Sequence, residues 1–278
     1  MGNAGSVNTG SFDDLDALAD LAQEEALWLH VDGAFGAVAA LSPELRRLVA
    51  GMERADSVAF DFHKWLHVPY NVGCTLFKDE NLHRDAFSVS GSYLSVMERG
   101  VGAQSRPGHE FGPELSREAK ALTIWMALRE HGLSAYGAMA HENVKQAQYL
   151  ARLVLSERRL ELLAPVSLNI VCLRYLPENH QSWNPDSLDR LNKEILMDLQ
   201  QKGIAVPSHT VLNGRFGIRV CITNHRTRSD DFDLAVRAIL DLGKDAVRRL
   251  GQGPDGEHRS SELKSPLDVP SIGGARVG

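Results

Sequence analysis

The chain has 278 residues, enough for one large or two ordinary domains with ample core. Its 43% hydrophobic and 24% charged content is that of a soluble globular protein, and a formal net charge of −6 speaks against a nucleic-acid binder. No apolar run approaches the roughly 20 residues needed to cross a bilayer, and Met1-Gly2-Asn3-Ala4-Gly5 lacks the charged and apolar regions of a secretory signal.

In chain order, Ser6 to Ser11 is a polar loop leading into a helix that Ser11 or Asp13 can cap. Leu15, Leu18, Ala19 and Ala22 fall at helical spacing within it. An apolar strand at 27–31 then ends in Asp32-Gly33-Ala34-Phe35-Gly36. A second short strand near 57–60 delivers Asp61-Phe62-His63-Lys64-Trp65-Leu66, and a third is expected at 73–77. Residues 78–113 are rich in Gly and Pro without periodicity, a length that is functional or disordered inside a compact protein. A helix is expected to open at Glu114–Arg117 and end near His131-Gly132, with Leu122, Ile124, Trp125 and Leu128 on its core face.

From Leu133 a long helix reaches about Leu155 and leads into a second domain that reads α+β. Its expected elements are a strand at 167–175, a helix at 186–202 and a strand at 217–222. Leu188, Leu191, Ile195, Leu196 and Leu199 point inward along that helix, and Gly203 stops it. A closing helix capped by Ser229-Asp230-Asp231 follows, with Phe232, Leu234, Ile239 and Leu242 as its apolar face. Residues 251–278 carry Gly, Pro and Ser without periodicity and are expected to be disordered. The domains expected are thus 1–132, 133–250 and a tail at 251–278. Cys74, Cys172 and Cys221 show neither zinc spacing nor a disulfide framework, so the cytoplasm is the expected compartment.

Two positions carry chemistry. Lys64 stands just past a short strand, where α/β folds keep ligands, and a lysine amine shifts its pKa readily and forms Schiff bases with carbonyl cofactors. Taken alone it reads equally as a surface lysine at a strand end. Asp32 also ends a strand, and the small residues after it leave room for a flat ring. A carboxylate there can face a pyridinium nitrogen and keep the ring electron-poor, as in pyridoxal 5′-phosphate proteins; a helix cap or a metal ligand is its other reading.

The stretches HVDGAFG, ADSVAFDFHKW and VPYNVG resemble those of the pyridoxal-dependent decarboxylases of the aromatic amino acid and glutamate decarboxylase family, over roughly Gly5 to Leu242. The resemblance implies an α/β fold of the type I, aspartate aminotransferase-like class, here an incomplete large domain followed by an α+β small domain. It makes Lys64 the Schiff-base lysine and Asp32 the partner of the pyridine nitrogen, with Ala34 on the ring face and His63 near phosphate and substrate. Asp61 aligns with a cofactor contact that is Asn in some members. Ser90 to Leu94 match a loop that sets a tyrosine, here Tyr93, over the substrate, where a phenol can deliver a proton once CO₂ has left. Ser116 and Arg117 are placed near the active site or dimer interface, and Arg219 matches an arginine able to meet a substrate carboxylate, although a structural ion pair explains it as well. Phe62 stands where Pro is common, and Val7 where many members have a cofactor-touching threonine.

The implied activity is decarboxylation of an L-amino acid to its amine by a homodimer, without nucleic acid or membrane. An aminotransferase or carbon–carbon lyase of the same fold is an alternative, and an inactive remnant or partner subunit is another. The family's upstream segment, with its Ser/Gly phosphate loop and ring-stacking histidine, has no counterpart in the sequence, so the chain is expected to be a truncated form.

Overall fold

A computed structural model describes residues 1–88, 98–100 and 108–251. It contains two four-stranded sheets joined by one long helix. The first sheet runs β1 (Gly2–Asn3), β2 (His30–Asp32), β3 (Ser57–Asp61), β4 (Gly73–Phe77) in that spatial order. The first three strands are parallel and β4 returns antiparallel along β3. Parallel register puts the carboxyl ends of β2 and β3 on one edge, where open α/β sheets hold ligands.

Helix α1 (Leu15–Glu24) is the crossover from β1 to β2. Its cap is Asp14, whose carboxylate accepts the Ala17 N–H at 3.0 Å, and not Ser11 or Asp13. Asp13 instead accepts the Asn3 N–H at 2.8 Å and pins β1 to the helix entry. Sequence reading has no strand ahead of α1, because two residues are too few to show alternation. The strand expected at 27–31 is displaced to 30–32. Leu29 N–H is taken by the Asp56 carboxylate rather than by a neighbouring strand, and Leu27 and Trp28 are exposed.

Within 78–113, the described residues include regular elements that their composition does not announce. Asp79 accepts the N–H groups of Asn81 and Leu82 and starts α2 (Glu80–Phe87), and a 3₁₀ turn covers Gly108–Phe111. Helix α2 has no buried residue, so it leaves no apolar stripe to read. Helix α3 spans Lys120–His131, six residues later than the earliest start expected, because Glu114–Ala119 is irregular and no side chain caps the helix. Ile124 and Leu128 pack on the first core, whereas Leu122 and Trp125 of the expected core face are exposed.

Helix α4 (Leu133–Ser156) serves both lobes. Tyr136, Ala140 and Val144 belong to the core of the first sheet, and Ala147, Leu150 and Val154 to the core of the second. The second sheet, wholly antiparallel, has the order β5 (Leu160–Leu162), β6 (Ile170–Tyr175), β8 (Arg215–Cys221), β7 (Ser208–Leu212). Helices α5 (Pro185–Gln201) and α6 (Ser229–Gly251) complete its core. This is the expected α+β arrangement, with two strands, β5 and β7, that sequence reading omits. Asn213 and Gly214 both have positive φ (50° and 74°) in the two-residue link between β7 and β8, the backbone an Asn-Gly hairpin needs. Leu188 is only half-buried and Leu234 is exposed, so neither belongs to the fully buried set expected. The tail beyond Gly251 lies outside the described residues. No helix among the described residues is long and apolar enough to cross a membrane.

Candidate functional site

A cavity of about 490 Å³ opens where the two lobes meet. Its walls come from the loop after β1 (Gly5, Ser6 and Val7), the residues following β2 (Asp32, Ala34 and Phe35), Lys64 after β3, and Arg219 and Thr223 from the second lobe. Close backbone packing forms its floor. A Cβ on Gly36 would lie 2.4 Å from the Ala4 carbonyl oxygen, so only glycine lets the β1 loop settle against the chain after β2. Below Lys64, Trp65 is fully buried and stacks on Phe35, with ring centres 5.2 Å apart and planes 12° from parallel.

Asp32 ends β2 with one carboxylate oxygen, Oδ1, accepting the Ala34 N–H at 3.0 Å. This orients the carboxylate and leaves Oδ2 for another donor. Lys64 Nζ lies 2.7 Å from Asp61 Oδ2, with the lysine side chain 40% exposed and the aspartate 21%. Arg219 donates from Nε to the Val7 carbonyl at 2.9 Å and from Nη1 to Ser208 Oγ at 3.1 Å, and it also hydrogen-bonds the Cys221 side chain. On the same strand face, the Cys172 thiol donates to the Asn8 carbonyl at 3.2 Å. Burial pushes that thiol up to about 11, against the pull of Arg219.

Of the residues singled out from sequence, Asp32, Ala34, Lys64 and Arg219 line this one cavity, and Asp61 reaches it through its pair with Lys64. His63 does not line it: the ring stands 4.4 Å from that of Tyr70, with Nδ1 2.9 Å from the Val72 carbonyl. Tyr93 lies outside the described residues. Arg117 sits in the irregular stretch before α3, 4.0 Å from Glu114. Sequence reasoning missed Ser6 and Thr223. Thr223 was accessible from Arg219, since residues 219, 221 and 223 alternate onto one face of an extended chain.

The site sets a primary amine and an oriented carboxylate on the carboxyl edge of adjacent parallel strands, in a cavity with small residues on one wall. That donor set fits pyridoxal 5′-phosphate, and the fold and site together define an α/β domain of the type I pyridoxal-phosphate class. A model of the pyridoxal-dependent decarboxylase conserved domain matches residues 1–176, and the chain belongs to that family. It is 34% identical over 231 residues to an aromatic-L-amino-acid decarboxylase from Bacillus atrophaeus, covering 83% of this chain and 48% of that protein. It is 32% identical over 227 residues to a histidine decarboxylase from Drosophila melanogaster, covering 82% of this chain and 25% of the other. Among solved structures, the glutamate decarboxylase domain of a diaminobutyrate-pyruvate transaminase and L-2,4-diaminobutyrate decarboxylase from Vibrio parahaemolyticus superimposes with a TM-score of 0.72 at 27% identity, over 88% of this chain and 46% of that one. The chain thus spans about half the length, or less, of these relatives.

Proposed function

We propose that this chain carries the lysine-bearing part of a site that decarboxylates an L-amino acid to its amine with pyridoxal 5′-phosphate. The observation that carries the proposal is that Lys64 and Asp32, on adjacent strand ends, face one cavity. Pyridoxal phosphate, when bound, supplies an aldehyde that an amine can capture and a ring that accepts the electron pair left by departing CO₂. Lys64 provides the capturing amine, and the Asp61 carboxylate, with Oδ2 2.7 Å away, holds it in place as an ion pair. Asp32 presents a negative charge to a ring nitrogen while the Ala34 N–H fixes its orientation. The Arg219 donors not committed to Val7, Ser208 and Cys221 can hold a substrate carboxylate from the second-lobe side. Small Ala34 leaves the ring face clear, and Tyr93 stays in the proposal as the proton donor to the product carbon. His63 has a supporting place, holding the Val72 segment behind the lysine turn.

A cytoplasmic homodimer is part of the same reading. Family likeness supports the dimer, and three free cysteines suit a reducing compartment. The proposal is tested by incubating the chain with pyridoxal phosphate, reducing with borohydride and mapping the modified peptide. The label is expected on Lys64 and is expected to vanish in Lys64→Ala. Labelling that persists in that variant, or that maps to another lysine in the parent, would overturn the assignment.

A further inference from the structure

The turn carrying Lys64 and the loop carrying Thr223 belong to different lobes, and a directional chain of amides joins them. Trp65 donates its indole N–H to Asn143 Oδ1 at 2.9 Å. Asn143, only 2% exposed, donates from Nδ2 to Gln146 Oε1 at 3.0 Å. Gln146 donates in turn from Nε2 to the Thr227 carbonyl at 2.7 Å. Every bond points the same way, so flipping either amide would set donor against donor or acceptor against acceptor. Asn143 and Gln146 stand at i, i+3 on α4, the spacing at which helical side chains meet. His67 adds a second attachment, its Nε2 lying 2.9 Å from the Thr223 carbonyl.

Packing alone does not call for this arrangement. A buried amide costs free energy unless its hydrogen bonds are made, and an apolar side chain would fill position 143 without that demand. What the amides add is direction. They connect the residue next to Lys64 with a loop whose first residues form the opposite wall of the cavity.

We propose that Asn143 and Gln146 are positioning residues. They hold residues 222–228 at a set height over the Lys64 turn, and so decide where Thr223 stands relative to the amine. The consequence for catalysis rests on the function proposed above; the tether itself does not.

Hydrogen–deuterium exchange on the whole chain, without cofactor, tests this with Gln146→Glu and Gln146→Lys. Glutamate keeps the shape of glutamine but offers only acceptors, so it faces the Thr227 carbonyl with like charge. Lysine keeps a donor that can reach the same carbonyl, although it gives Asn143 Nδ2 no acceptor. The amides to watch are those of Arg226 and Thr227, which bond within the loop to Asn224. Gln146→Glu is expected to speed their exchange about tenfold while β6 and α5 keep their parent rates. Gln146→Lys is expected to stay within about twofold of the parent. Asn143→Asp gives an independent reading: its carboxylate keeps the Trp65 bond but draws the Gln146 NH₂ towards itself, turning Oε1 to Thr227, and the same acceleration is expected.

Equal exchange in the Glu and Lys variants would overturn the proposal, as would acceleration spread through β6 and α5, the mark of simple loss of packing. Because no cofactor or substrate enters the measurement, a chain that fails the Lys64 labelling test can still pass this one, and the reverse.

Discussion

Strand β6 and strand β4 show how differently the two lobes treat their apolar surface. Every residue of β6 is buried, with β5 and β8 on either side and α4, α5 and α6 packed over the lobe's core. Among the described residues strand β4 pairs only with β3; it has Gly73, Thr75 and Leu76 exposed, and borders an apolar groove of about 930 Å³ that also takes in Val58, Phe60 and Leu66. The second lobe buries apolar surface against itself, and its stability should reside in ordinary close packing. The first lobe leaves apolar side chains open and places its amine and carboxylates at a sheet edge. Closure and chemistry are separated in this chain, and the cavity lies along the line between them.

Matched leucine truncations give the strongest test of this contrast. Leu191 on α5 is fully buried and Leu76 on β4 is 57% exposed. Leu191→Ala should cost about 2–5 kcal/mol, and Leu76→Ala about 0.5 kcal/mol or less, as measured by urea unfolding. Similar costs at both positions would break the comparison.

A smaller effect is expected at Arg174, the one charged side chain among the described residues that is buried in the second lobe. It lies 3.5 Å from Asp189, with its Nε and Nη2 making no hydrogen bond, and burial lowers its pKa against the pull of Asp189. Methionine fills a similar volume without the desolvation cost. Arg174→Met should therefore be neutral or stabilising by about 1–4 kcal/mol. A clear loss in the same unfolding assay would show that the lobe depends on this ion pair, not on apolar packing alone.

The smallest effect belongs to the seam. Burial of one side of the His67 ring lowers its pKa from the ordinary 6.5, with a further push from His225, while the Thr223 carbonyl acts the other way. A histidine whose folded-state pKa is depressed adds stability that is complete above the free value and is lost as pH falls through the folded one. The seam should thus loosen below about pH 6.5. An NMR titration should place the His67 midpoint below that of a free histidine, and a midpoint at or above the free value would remove His67 as a pH-sensitive contact.

How much of this was open to sequence reading depends on the range of the interaction involved. Lys64 and Asp32 were legible because each follows a short apolar run, a local pattern that the parallel register of β2 and β3 turns into proximity. The helical stripe of α5 was readable for the same reason, since one side of it meets the core. Strand β1 left no signal, being too short to alternate, and helix α2 left only its Asp79 cap, with nothing buried behind it. Strand β7 did leave one, in Asn213-Gly214, which went unused. The neighbours Lys64 and His63 face different surroundings because successive residues of a turn diverge. The bond from Trp65 to Asn143 spans 78 positions, and no local pattern encodes it.

The sharing of α4 between both cores has a consequence for the chain as it is made. The four strands described for the first sheet have all been made once Phe77 is synthesised, yet the core they share also needs Tyr136, Ala140 and Val144. At roughly 5–20 residues per second a ribosome takes on the order of several seconds to supply them. Through that interval the nascent sheet stands with an open face, and the same helix that completes it starts the second core a turn later. A slow stretch of codons just after the α4 segment would give the first lobe time to finish before the second begins; one placed just before it would prolong the exposed state.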